Sequence, residues 1–108
     1  MTTLPKPPKK YRDFIERYPE LGQAWEQIHE AGRAGPLDER TVRLIKLGLA
    51  IGAQMEGPVH SSVRKGLALG LSREEMEQVV ALSAGTVGFP SAVAAFTWIQ
   101  DVLEKTRG

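Results

Sequence analysis

Two residues near the middle of the chain have the right types and spacing to move protons. Glu56 and His60 lie four apart in M-E-G-P-V-H-S-S, Met55 to Ser62, inside an otherwise apolar stretch. In a helix they are i, i+4 neighbours on one face, within hydrogen-bond reach. A carboxylate that orients an imidazole makes a general acid–base unit. Arg64 follows one turn further on, where a guanidinium can hold a substrate carboxylate, and Arg43 in the preceding helix can join it if it faces the same space. An anion clamp, a proton donor and a substrate carbonyl to accept electrons suffice for cofactor-free decarboxylation or lactone isomerisation. The same residues also read as a polar helix face or an intersubunit ion network, in which surface pairs contribute only about 0–1 kcal/mol each. A third reading is a metal held by the Glu/His pair and its symmetry mate, with two ligands per chain.

Composition bounds these readings. A chain of 108 residues is one domain's length, and 42% hydrophobic with 25% charged residues is ordinary for a globular protein. The net charge of +1 argues for neither nucleic acid nor an anionic membrane as partner. With no cysteine there is no disulfide, thiolate metal site or cysteine nucleophile. With only two histidines, a multi-histidine metal site within one subunit is not expected, and no cofactor is implied. The opening M-T-T-L-P-K-P-P-K-K has no apolar core of a secretory signal. The longest apolar run, Leu44 to Met55, is too short to span a bilayer. The expectation is a soluble, cytoplasmic protein.

The elements that must position Glu56 and His60 are helical throughout. Residues 1–9 read as a flexible Pro/Lys-rich tail and 10–108 as a single helical domain. Tyr11, Phe14, Ile15 and Tyr18 have helical spacing, and Pro19 ends or redirects that segment. Leu21, Ala24, Trp25, Ile28 and Ala31 form the stripe of an amphipathic helix, with His29 beside it as a surface residue. Gly32, Gly35 and Pro36 mark a loop. Asp38 caps a helix over about 39–54 that is apolar on most sides from Leu44 to Ile51. Pro58 suits the first turn of the next helix, which buries Val59, Val63 and Leu67 and ends at a left-handed Gly70. Ser72 and Glu75 form a capping box for a helix turning Met76, Val79, Val80, Ser83 and Val87 inward. Gly88-Phe89-Pro90 reads as a turn before a last helix from about Ser91, again apolar on more than one side. The fold class is all-α with about five or six helices. Two helices this apolar are hard to bury in one small chain, which points to a homo-oligomer sharing a core.

Residues 37–103 resemble the carboxymuconolactone decarboxylase family, which includes the alkylhydroperoxidase D-like proteins. The resemblance rests on L-D-E-R-T-V-R-L-I-K-L-G-L-A-I, H-S-S-V-R-K-G-L-A-L-G-L-S-R-E-E and V-G-F-P-S-A-V-A-A-F. It implies an alkylhydroperoxidase D-like all-α subunit assembling as a trimer or hexamer, with active sites near subunit interfaces. The family's peroxidase branch carries C-x-x-C-x-x-x-H and an upstream glutamate. Aligned without gaps, those positions hold Met55, Pro58, Ser62 and Arg43, so thiol peroxidase activity is not expected. The decarboxylase branch has a glutamate four residues before its histidine. Here that spacing recurs as Glu56 and His60, but two residues nearer the N-terminus, which turns a helical side chain by about 200°. Such a shift favours a separate branch with its own E-G-P-V-H-S motif.

The G-L-A-L-G-L-S-R-E-E-M-E-Q-V stretch also resembles a helix-turn-helix, but its second helix would set Glu74, Glu75 and Glu77 against phosphates. No nucleic-acid partner is expected. The reading is a decarboxylase-like enzyme, a lyase, acting on a small organic acid with Glu56 and His60 as the catalytic pair and Arg64 and Arg43 binding substrate. The alternative is a non-catalytic or ligand-binding oligomeric relative whose Glu/His pair is structural.

Overall fold

The computed structural model describes residues 8–107, all six of whose elements are helices. The N-terminal pair is α1 (Lys9–Arg17) and α2 (Pro19–Arg33). They are followed by α3 (Glu39–Gly52), α4 (Glu56–Ala68), α5 (Arg73–Val87) and α6 (Phe89–Arg107). Residues 1–7 of the expected tail lie outside the described residues, and Lys9 opens α1. The chain divides into two compact units, α1–α2 and α3–α6.

In the first unit Pro19 is the opening residue of α2, where its missing N–H leaves no bond unmade. The two helices meet closely at Gly22, where an added Cβ would stand 3.2 Å from Cβ of Ile15. The Phe14 and Tyr18 rings pack with centroids 5.3 Å apart. No residue of either helix is buried, so the stripe of Leu21, Trp25 and Ile28 is exposed rather than sunk in a core. His29 is half-buried, its ring centroid 6.4 Å from that of Trp25.

The second unit is built on local end-signals. Asp38 accepts a hydrogen bond from the Thr41 amide at 2.7 Å and so starts α3. The α3 end is closed by two backbone bonds, Gln54 N–H to Ile51 and Met55 N–H to Ala50. That closure needs a left-handed residue, and Gln54 supplies it at φ 57°. A non-glycine there costs roughly 1–2 kcal/mol, offset by its side-chain amide donating to the Ile51 carbonyl at 2.6 Å. The α4 end uses the same pattern, with Gly70 at φ 91° and Leu71 N–H bonded to the Gly66 carbonyl at 2.9 Å. Gly66 leaves room for that return, since a Cβ on it would come within 3.0 Å of Cδ1 of Leu71 and 3.2 Å of Sδ of Met76.

The capping box of α5 forms in both directions, Ser72 N–H to Glu75 at 2.8 Å and Glu75 N–H to the Ser72 hydroxyl at 3.0 Å. Arg40 reaches over from α3 and donates to both Glu75 oxygens at 2.8 Å and to the Gly70 carbonyl at 3.3 Å. Gly88, at φ 91°, turns the chain alone. Phe89 and Pro90 therefore belong to α6, not to the expected turn, with proline in the first turn where it is tolerated.

These turns bring α3 against α4 and α5, and α6 against α4 and α5. Leu47, Ile51, Val59, Val63, Met76 and Ile99 are fully buried in one core with Ala92, Ala95, Val102 and Leu103. Across one side of it, Gln100 bridges α6 to α5 by donating to Glu77 at 2.6 Å and accepting from Arg73 at 3.2 Å.

The caps carry a pH signature. The Ser72 amide and then Arg40 hold the Glu75 carboxyl below its usual range, and the Thr41 amide does the same for Asp38. A carboxylate with a lowered folded pKa adds stability above its unfolded pKa and loses it as pH falls through the folded value. The melting temperature of Glu75→Gln, which keeps a capping side chain, should therefore fall less steeply than that of wild type below about pH 4. Parallel slopes in thermal melts across that range would remove Glu75 from the acid response.

Candidate functional site

The four sequence-selected residues flank the α3–α4 seam. Met55 is the N-cap of α4, so Glu56 is its first residue and Pro58 lies in its first turn. Val59 and Val63 are fully buried and fix how α4 is rotated. His60, one position past Val59, is thereby held at the edge of the core, and Glu56, a turn earlier, reaches outward. Their side chains are 24% and 57% exposed respectively.

The pair is brought together, but not into the expected hydrogen bond. Glu56 Oε2 stands 3.8 Å from His60 Nε2, within ion-pair range and beyond hydrogen-bonding distance. The Nε2 atom itself is shielded from solvent and has no hydrogen-bond partner. A buried polar nitrogen without a partner is unfavourable and calls for an explanation. It sits where a small closure of the Glu56 side chain would complete the pair.

Arg64 lies one turn beyond His60 on α4, half-buried, and Arg43 is half-buried on α3. Both bear on a third cation, one that no sequence motif marks. Lys65 is half-buried, and its amine is held below the usual lysine range first by burial, then by Arg43, Lys46 and Arg64. The structure thus shows the Glu56–His60 pair and, on α3 and α4, three cations that bear on the Lys65 amine. A signal for these cations was present in the chain: from Arg43 to Arg73 the only acidic residue is Glu56. Among the described residues no three of His, Cys, Asp and Glu cluster as metal ligands.

The helix also shows what became of the positions where the peroxidase branch holds its motif. Ser62, at the motif-histidine position, is 7% exposed, while Met55, at the first cysteine position, is 51% exposed. Glu56 and His60 stand on a different face of α4 from Ser62.

An all-α unit with α3 and α4 joined by a three-residue turn, and α4 and α5 by Gly70 and a capping box, defines a helical class of proteins rather than a single activity. Residues 19–101 match the model of the carboxymuconolactone decarboxylase family, and the chain belongs to that family. No curated protein matches this chain.

If the pair were a structural strut, removing its charge would be costly. With Glu56 largely exposed and no hydrogen bond made, Glu56→Gln should change the unfolding free energy by less than about 1 kcal/mol. Urea denaturation measures this; a loss of several kcal/mol would make the pair a structural ion network.

Proposed function

We propose that the protein carries out cofactor-free acid–base chemistry, decarboxylation or lactone isomerisation, on a small organic acid. The observation that carries this reading is the shielded, unpartnered Nε2 of His60 beside the Glu56 carboxylate. That nitrogen is neither hydrogen-bonded nor open to water, and a carboxylate stands beside it.

In the decarboxylation, Arg64, assisted by Arg43, anchors a substrate carboxylate. The bond from the substrate carbon to a second, departing carboxylate breaks, and its electron pair moves into a conjugated carbonyl as carbon dioxide leaves. His60 in its protonated form delivers the proton that converts the resulting enolate to product. Glu56 holds the imidazolium during transfer, and solvent restores the proton afterwards. In the isomerisation the same imidazole removes one proton and returns it at another carbon. Neither route uses a thiol, in keeping with a chain that has no cysteine. The rival reading, a non-catalytic or ligand-binding relative, draws on the 3.8 Å separation and the exposure of Glu56.

The proposal includes a cytoplasmic homo-oligomer, a trimer or hexamer, with the site near a subunit interface. Within the α3–α6 unit, Ile45 and Leu49 of α3 and Leu82, Phe89, Val93 and Phe96 of α5 and α6 are exposed, Phe89 by 75%. That much large apolar surface on so small a unit supports a shared core. Among the described residues no helix is long and apolar enough to cross a membrane. Sedimentation should show a trimer or hexamer, and Phe89→Glu should shift it toward monomer. A monomeric wild type would end the shared-core argument.

A thermal-shift screen of small carboxylates and lactones on wild type and His60→Ala tests the site. A ligand at about 100 times its Kd adds roughly 2.7 kcal/mol to stability. Stabilisation of wild type by one ligand class, lost in His60→Ala, is the expected result. No shift in wild type, together with a lower melting temperature for His60→Ala, would make the pair structural.

A further inference from the structure

The helices α1 and α2 are held together without a core. None of their residues is buried, although helices of 9 and 15 residues depend on packing to persist in water. What they lack is cover for two apolar rows. Tyr11, Phe14 and Tyr18 recur along α1 and its end, and Leu21, Trp25 and Ile28 along one side of α2, each between 36% and 63% exposed. The rows flank the point where Ile15 meets Gly22, and the touching rings of Phe14 and Tyr18 carry the first row into the joint. Six large side chains left to water at neighbouring positions make a patch of the kind that marks an interaction surface.

We propose that this patch docks on itself: the α1–α2 pair of one copy packs, about a two-fold axis, on the α1–α2 pair of a second copy. Two features fit the pair to its own kind. The first is charge. On α1, Lys9, Lys10, Arg12 and Arg17 outnumber Asp13 and Glu16, whereas on α2 Glu20, Glu26 and Glu30 outnumber Arg33. One helix is therefore net positive and the other net negative, and all these charges are exposed. In a two-fold contact every residue i that meets j is matched by j meeting i, so each α1 can lie beside the α2 of opposite charge in the second copy. The second feature is area. At roughly 100 Å² each, about half of what an aromatic side chain can bury, the six residues offer roughly 600 Å² per copy and about 1,200 Å² for a pair, the lower end of the range for stable interfaces.

The contact deepens the oligomer reading above and rests on it only for the final count. Joined to a three-fold contact through the exposed apolar residues of α3, α5 and α6, a two-fold contact through α1–α2 closes the assembly at six chains. Without the three-fold contact it closes at two. An anionic membrane would suit α1 and be repelled by Glu20, Glu26 and Glu30 of α2, whereas a second copy suits both helices.

The test is sedimentation equilibrium on the full chain at low salt, where exposed charges are least screened. Wild type should contain an even number of chains. Trp25→Glu should weaken the two-fold contact by about thirtyfold or more, as loss of a buried aromatic anchor does, and so halve the mass. The double reversal Glu20→Lys with Glu26→Lys makes both helices positive, and Arg12→Glu with Arg17→Glu makes both negative. Each reversed chain alone should sediment at half the wild-type mass, and an equimolar mixture of the two should recover it. That recovery also shows that both fold, since mixing cannot rescue misfolded chains. Phe89→Glu, which reads the other contact, should leave pairs that added Trp25→Glu takes to single chains. If only the reading of α3–α6 fails, wild type is a dimer that Trp25→Glu still halves, so the two failures are told apart. An odd number of chains in wild type, an unchanged mass in Trp25→Glu or in either reversed chain, or no recovery on mixing would overturn the proposal.

Discussion

Everything in the α3–α6 unit depends on burying Leu47, Ile51, Val59, Val63, Met76 and Ile99 in a single core. Four helices can share so small a core only if the chain reverses quickly between them. The reversals take three, four and one residues, and three of those residues are left-handed: Gln54, Gly70 and Gly88. Each tight turn fixes the rotation of the helix that follows. Because Val59 and Val63 must face the core, His60 is set at its edge, Glu56 outside it, and Arg64 and Lys65 along the seam. The chemistry of the site is a by-product of which residues lie next to the buried row.

The legible parts of this fold obey rules spanning at most a few residues. Asp38, the Ser72–Glu75 box and the left-handed Gly70 could all be read from the chain, because each satisfies backbone groups within one helical turn, and Pro19 was legible as the break between two helices. The Glu56–His60 spacing was readable for the same reason. Its 3.8 Å separation was not, since side-chain rotamers depend on what the neighbouring helices leave free. Gln54 escaped because the left-handed position is usually announced by glycine, and here the nearby Gly52 stands two residues too early. Gly88 was placed in a turn correctly, but Pro90 was read as part of that turn when proline is equally at home in a first helical turn.

Arg40 shows the limit more sharply. Its bidentate grip on Glu75 joins positions 35 apart, across the α4–α5 turn. Nothing in either segment names the other, and an exposed arginine at the start of a helix looks like ordinary solvation. Lys46 and Lys65 were overlooked in the same way. Each is unremarkable on its own helix, and only the packing of α3 on α4 makes them members of one electrostatic group with Arg43 and Arg64.

The chain belongs to the family without a single cysteine. The face of α4 that carries Val59, Ser62, Val63 and Gly66 is buried in the core. Once that face is buried, reactive groups on α4 can only lie at its margins, a fraction of a turn away. Glu56 and His60 lie off the buried row of Val59, Val63 and Gly66, at the margin of α4. Arg64 lies a turn beyond His60 on the same margin, and Lys65, the next residue, is half-buried with its amine held down by burial and its charged neighbours. A fold that moves its reactive residues by rotation rather than by rebuilding the backbone can change chemistry while its turns and core stay as they are. The caps and the core would then be the part of this chain under the tightest physical constraint, and the charged margins of α4 the part free to specialise.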